Sequence, residues 1–113
     1  MLTEKEVKKN RKVFSESDKT MAAAFKVLSD INRYRIFRLL AEQPKLSISD
    51  IAEILHISLP LASQHIRILT HVNLIKKERY GKMVFPQLEH DNPFVQAVVK
   101  TIQEALRSNV QKN

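Results

Sequence analysis

The sequence predicts a mainly α-helical domain carrying one β-hairpin, in the order α-α-α-α-α-β-β-α. Three observations carry this expectation. The chain has 113 residues, enough to bury one apolar core and too few for two ordinary ones. Apolar residues recur at helical spacing in six separate stretches. The two stretches richest in β-compatible residues, Ile75–Tyr80 and Met83–Leu88, flank Gly81-Lys82, and Gly81 is the only glycine of the chain.

The first helix is expected over Thr3 to Ser15, where helix-forming Glu and Lys surround a sparse apolar set, Val7, Val13 and Phe14. So thin a stripe does not hold a helix alone and needs a partner surface. After the polar stretch Ser15–Thr20, Met21, Ala22, Phe25 and Leu28 recur at helical spacing and predict a second helix. Asn32 is the expected cap of a third, which carries Ile36, Phe37, Leu39 and Leu40 inward and ends at Gln43-Pro44. Ser47-x-x-Asp50 has the form of a capping box and opens a two-turn helix with Ile51, Ala52 and Leu55 on one face. His56-Ile57 connects it to the next helix. Ser58 is placed to cap that helix, because Pro60 at its second position lacks an N–H that would otherwise go unsatisfied.

The helix from Leu59 to His71 is the most informative. At 100° per residue, Ala62, His65, Ile66 and Leu69 form one stripe, and Pro60, Ser63, Gln64, Arg67 and His71 form the opposite one. One face is apolar and the other is a row of hydrogen-bonding groups. Asn73 sits where a left-handed residue is expected, before Leu74-Ile75 leaves in an extended direction. A two-stranded hairpin follows, its Pro86 suited to an edge strand because it cannot donate to a ladder. From Asn92 onward Phe94, Val95, Val98, Val99, Ile102, Leu106 and Val110 return to helical periodicity and close the chain. Two helices joined by a tight turn and followed by a basic hairpin make a winged helix-turn-helix, in which the second helix fits a major groove and the hairpin tip reaches phosphates.

Composition agrees with a folded domain and narrows its chemistry. Hydrophobic residues make up 43% and charged residues 27%, typical of globular protein. Cysteine is absent, which excludes disulfides, thiol catalysis, iron–sulfur chemistry and thiolate metal sites. The N-terminal run MLTEKEVKKNRKVF lacks the apolar core of a signal peptide, and no stretch reaches the ~20 apolar residues of a membrane span, so a cytoplasmic location without a membrane partner is expected. The formal charge is +7, and residues 56–85 hold five basic groups against one acidic. More than half of the net charge therefore falls on the second helix of the pair and the hairpin, the footprint expected for double-stranded DNA.

With these residues in view, the chain resembles the ArsR/SmtB family of winged-helix repressors. The likeness spans nearly the whole chain and rests on FKVLSDINRYRIFRLLAE and on ISDIAEILHISLPLASQHIRILTHVNLIKKERYGKMVFPQL. In the first run Leu28, Asp30 and Arg33 match the family pattern, whereas Ile31, Asn32 and Tyr34 depart from it. Ser58-x-Pro60-x-Ala62-Ser63-Gln64-His65-Ile66 corresponds to the recognition-helix motif, Leu74-Ile75 to the Gly-Leu-Val that follows it with Asn73 replacing the usual glycine, and Arg79-Tyr80-Gly81-Lys82 to the wing tip. The resemblance implies a homodimer that represses by covering a palindromic operator. It also implies release by a metal or other effector, but soft-metal sensors of the family place Cys in the helix matching Ile48–Leu55, which has none. Zinc-type sensors place Asp and His on the last helix, and no Asp or His follows Asn92.

The expected DNA-contacting residues are Ser58, Pro60, Leu61, Ser63, Gln64, Arg67 and His71 on the helix, with Lys76, Lys77, Arg79 and Lys82 on the hairpin. Arg67 suits guanine or phosphate and Gln64 suits adenine or a mixed base edge, while the hairpin cations set affinity through phosphates. His65 faces inward, where it positions the helix. The expected dimer surface combines the terminal helices, 3–15 and 92–109 of a single domain spanning 1–113, through Val7, Phe14, Val95, Val98, Val99, Ile102 and Leu106. No cofactor and no metal site is expected: His56, His65, His71 and His90 never fall four residues apart, and the effector, if there is one, is unidentified. Neither a phosphate-binding glycine loop nor an HExxH motif is present, so an enzyme is not expected. The rival reading, a winged helix used for protein association, calls for a contiguous apolar patch on residues 60–71.

Overall fold

A computed structural model describes residues 1–112, and the side chains of residues 1–108. Six helices and one hairpin follow in the expected order: α1 Glu4–Arg11, α2 Ser17–Leu28, α3 Ile31–Glu42, α4 Ile48–Leu55, α5 Leu59–His71, β1 Ile75–Tyr80, β2 Met83–Leu88 and α6 Pro93–Lys112. The side chain of Val110 lies outside the described residues.

Local chemistry sets the boundaries. Thr3 caps α1 in a reciprocal capping box with Glu6. The helix stops at Arg11 rather than Ser15, so Phe14 stands on the connector; the Ser15 N–H is bonded to the Asp18 carboxylate at 3.1 Å and already belongs to the start of α2. The polar residues Ser17–Thr20 form the first turn of α2 instead of preceding it. Asp30, not Asn32, caps α3, its carboxylate accepting the Arg33 N–H at 3.0 Å while Ile31 is already helical. Ser47 and Asp50 form the expected capping box of α4, each accepting the other's backbone N–H. Two helices close by the same device. His56 after α4 and Asn73 after α5 adopt positive φ, 55° and 62°, and the next residues bond back to the helices, Ile57 N–H to Ala52 O and Leu74 N–H to Leu69 O.

The hairpin is antiparallel in the register Ile75↔Leu88 to Tyr80↔Met83, closed by Gly81 at φ 61°, a conformation glycine adopts without steric cost. Its base, Ile75, Pro86 and Leu88, is buried with Leu74 against Ile36, Phe37 and Leu40 of α3, Ile51 of α4 and Ile66 and Leu69 of α5. Asn92 joins the end of α5 to the start of α6: its amide donates to Asn73 O, and its Oδ1 accepts from the Phe94 N–H. Val95, at the first turn of α6, is fully buried in this core.

Along α6, Val98, Val99 and Ile102 pack partly buried against that core. α1 buries none of its residues, and the chain has a radius of gyration of 17.8 Å and extends 60 Å along its long axis. A compact domain of this length has a radius of about 13 Å.

Candidate nucleic-acid interface

The exposed side of α5 is built from its cap outward. Ser58 Oγ accepts the Leu61 N–H at 3.2 Å, leaving Pro60 in the first turn where no donor is needed. Ala62, His65, Ile66 and Leu69 are buried, and Pro60, Leu61, Gln64, Arg67 and His71 are exposed, with Ser63 half-buried. The two stripes expected from the sequence are thus the two faces of the helix. Beyond Leu59 and Leu61, at 49% and 37% exposure in the first turn, the outer face carries no large exposed hydrophobic side chain. The apolar area that protein association would use is confined on α5 to this first turn, where Leu59 borders Ile48, Met83 and Val84 in one cleft.

His65 ties this helix to α3. Arg33 donates through Nη1 to His65 Nδ1 at 3.4 Å and through Nε to Val27 O at 2.8 Å. The guanidinium thereby bridges the end of α2 to the inner side of α5. Asp30 completes the group. The Arg33 backbone N–H bonded to its carboxylate, together with the nearby Arg33 and His65 side chains, holds Asp30 below the ordinary value of 3.8 against the opposing effect of burial.

The wing sorts its charges by face. Alternation along β1 puts Lys77 and Arg79 on the side of Ile75, opposite Pro86 and Val84. Lys76, Glu78 and Tyr80 occupy the other side. There Lys76 Nζ lies 3.9 Å from Glu78 Oε1, while Glu78 Oε2 accepts from Tyr80 OH at 2.8 Å and from Gln87 Nε2 at 3.2 Å. The hydrogen bond to Glu78 and the charge of that carboxylate raise the Tyr80 pKa above 10.0. Lys76 therefore stands apart from the other wing cations, beside the one acidic group of the hairpin. Lys77, Arg79 and Lys82 remain exposed and without an ion pair among the described residues.

Ser63 and Lys82 share a cleft of about 270 Å³ where the N-termini of α4 and α5 meet the wing, lined also by Ser47, Ile48 and Ser49 and by the apolar Leu59, Met83 and Val84. The start of α4 is thus part of this surface, and Ser47-x-x-Asp50 read as a cap gave no sign of it. Arg67 and His71 line a second recess, of about 310 Å³, beside Val27 of α2. Gln64 borders neither.

Of the residues expected at the dimer surface, Phe14 is 71% exposed and Val7, Val98, Val99, Ile102 and Leu106 are half-buried. Val95 does not belong with them. It is wholly covered by the chain's own core and offers no surface to a partner. Leu2, Val13, Met21 and Phe25 extend the exposed apolar area, and the Phe25 ring meets Phe94 edge-on at 5.0 Å, joining α2 to α6. Met21 and Phe25 went unread as surface because helical spacing alone does not say which face a stripe turns to.

No group of three or more His, Cys, Asp or Glu is placed to hold a metal among the described residues, and no helix there is long and apolar enough to cross a membrane. A helix pair leading into a basic hairpin, with the second helix presenting a polar row, is a winged helix-turn-helix. A helix-turn-helix domain family matches residues 28–78. The cadmium resistance transcriptional regulatory protein CadC homolog of Staphylococcus aureus is 33% identical over 72 residues, 64% of this chain and 60% of that protein. CadC of Listeria innocua is 32% identical over 66 residues, 58% of this chain and 56% of the relative, so the chain spans less than two thirds of either. Among solved structures, HlyU from Vibrio cholerae superposes with a TM-score of 0.73 at 20% identity, covering 81% of this chain and 97% of that one. The homodimeric winged helix-turn-helix DNA-binding domain Mb0332 from Mycobacterium bovis does so at 0.71 and 19%, covering 88% and 93%.

Proposed function

We propose that the chain is a sequence-specific transcriptional regulator that binds a palindromic operator as a homodimer and represses by occupying promoter DNA. The observation that carries this reading is the pairing, on one fold, of a polar α5 face with unpaired wing cations. Ser58, Pro60, Leu61, Ser63, Gln64, Arg67 and His71 meet the groove and its edges, and Lys77, Arg79 and Lys82 meet phosphates, with Lys76 a weaker contributor beside Glu78. Val7, Phe14, Val98, Val99, Ile102 and Leu106 supply the two-fold contact within a single domain of residues 1–113, and recognition helices about 34 Å apart then fit one turn of DNA.

The cadmium role named for the relatives is not carried over. This chain has no cysteine, and a soft-metal site of thiolates cannot be assembled from it. Selection of bound duplexes from a random library tests the proposal: recovery of an inverted repeat with half-sites one helical turn apart supports it, and recovery of no consensus refutes sequence-specific binding.

A further inference from the structure

A cleft of about 480 Å³ is lined by none of the residues proposed to contact DNA or a second protomer. Its walls are Arg35, Arg38, Leu39 and the carboxylate-bearing Glu42 of α3 and Ile54, Leu55 and His56 at the end of α4. Arg35 and Arg38, three residues apart, project from one face of α3. Both are exposed, and neither is ion-paired among the described residues, although Glu42 lies one turn beyond Arg38. Between them and α4 the cleft is apolar: Leu39 and Leu55 are half-buried, and Ile54 is 53% exposed, turned away from the core that Ile51 enters.

His56, whose left-handed φ of 55° closes α4, brings an imidazole to the same cleft.

Two unpaired guanidinium groups beside an apolar floor match a particular chemistry. A carboxylate satisfies planar guanidinium donors in pairs, and an apolar body attached to it covers Ile54 and the leucines. A DNA backbone brings the anion but nothing to cover the floor. We propose that this cleft binds an organic carboxylate with an aliphatic body, the carboxylate held by Arg35 and Arg38 and the chain laid over Leu39, Ile54 and Leu55. Such a ligand bridges α3 to the turn that sets α5 on α4. Binding stands independently of the DNA-binding reading; only its effect on an operator rests on that reading.

Calorimetric titration of the full chain with octanoate, acetate and 1-octanol separates the contributions. Octanoate should bind once per protomer, and acetate and octanol should each bind at least about tenfold more weakly, since each lacks one half of the recognition. The variant Arg35→Gln/Arg38→Gln should lose at least about tenfold in octanoate affinity, and Ile54→Asn, which leaves both guanidinium groups in place, should also weaken it. Far-ultraviolet circular dichroism checks that both variants remain folded; the three side chains are exposed. Octanol binding as well as octanoate refutes the proposal, as does octanoate affinity unchanged in the double variant. A double variant that loses affinity only for random duplex DNA assigns the arginines to phosphates instead and overturns it equally.

Discussion

Neutralising the wing tests the division between affinity and readout most directly. Lys77, Arg79 and Lys82 are exposed and unpaired, so each is free to displace one counterion from a phosphate. In a dimer the variant Lys77→Gln/Arg79→Gln/Lys82→Gln removes six such contacts, and at about 0.9 units per contact the slope of log affinity against log salt should flatten by about five units. Between about 50 and 200 mM salt, the native protein should therefore lose about a thousandfold more affinity than the variant. Fluorescence anisotropy on a random duplex across that range gives the slope without knowledge of the operator. The structure supplies an internal control: Lys76 already lies 3.9 Å from Glu78, so Lys76→Gln should change the slope by clearly less than Lys77→Gln. A triple variant with a slope within about one unit of the native value would refute phosphate contact by the wing, and equal effects of the two single variants would refute the sorting of cations by strand face.

Gln64→Ala should act differently, reducing discrimination at one operator position by about 1–3 kcal/mol while leaving random-duplex affinity nearly unchanged; equal losses on both duplexes would contradict base readout. Sedimentation equilibrium at micromolar concentration should show a dimer, with Phe14→Asp shifting it to monomer, and a native monomer throughout that range would sink the proposed assembly. Asp30 should give a pH signature. Its folded-state pKa is depressed, so its contribution is present above pH 3.8 and lost as pH falls below that value toward the lowered native one. Asp30→Asn keeps a good helix cap, so urea titrations should show the native stability advantage shrinking across that acid window, and a difference independent of pH would exclude the effect. Calorimetric zinc titration should show no submicromolar stoichiometric binding, and tight binding coupled to at least about a tenfold change in DNA affinity would reveal a site composed between subunits.

Short-range chemistry was the legible part of the sequence. Gly81 between two β-compatible runs located both strands to the residue, and Ser47-Asp50, Ser58 and Asn73 declared their caps and turn because each acts on backbone within a few residues. The polar row of α5 was equally readable, since 100° per residue converts order into direction. What failed was whatever depended on a distant surface. Val95 and Val99 lie on the same apolar helix, yet one is sealed in the core and the other half-exposed, a distinction made by where α6 leaves the hairpin. The Arg33–His65 contact joins residues 32 apart, and only the packing of α3 on α5 creates it. Asp30 displaced Asn32 as a cap because both side chains suit the role and the actual start of the helix decides between them.

The positions of the two surfaces bear on how they communicate. Leu2, Val13, Phe14, Met21 and Phe25 are all exposed at one end of the chain, and a soluble monomer has no use for so much adjacent apolar area. In the proposed homodimer, covering it across a two-fold axis would stabilise the pair and set the separation of two α5 helices. The connection is short: Phe25 meets Phe94 at the root of α6, Val27 O accepts from Arg33, and the same guanidinium reaches His65 on the inner side of α5. Few side chains therefore separate the root of α6 from the inner side of α5. On this geometry Arg33→Met should reduce operator affinity more than random-duplex affinity, although Arg33 does not lie on the DNA-contacting face of α5, because the substitution frees the helix orientation on which base contacts depend and leaves the wing phosphates untouched. Measuring both affinities at one salt concentration decides the matter: an equal reduction on the two duplexes would mean that Arg33 serves stability alone and that α5 is held by its buried apolar stripe.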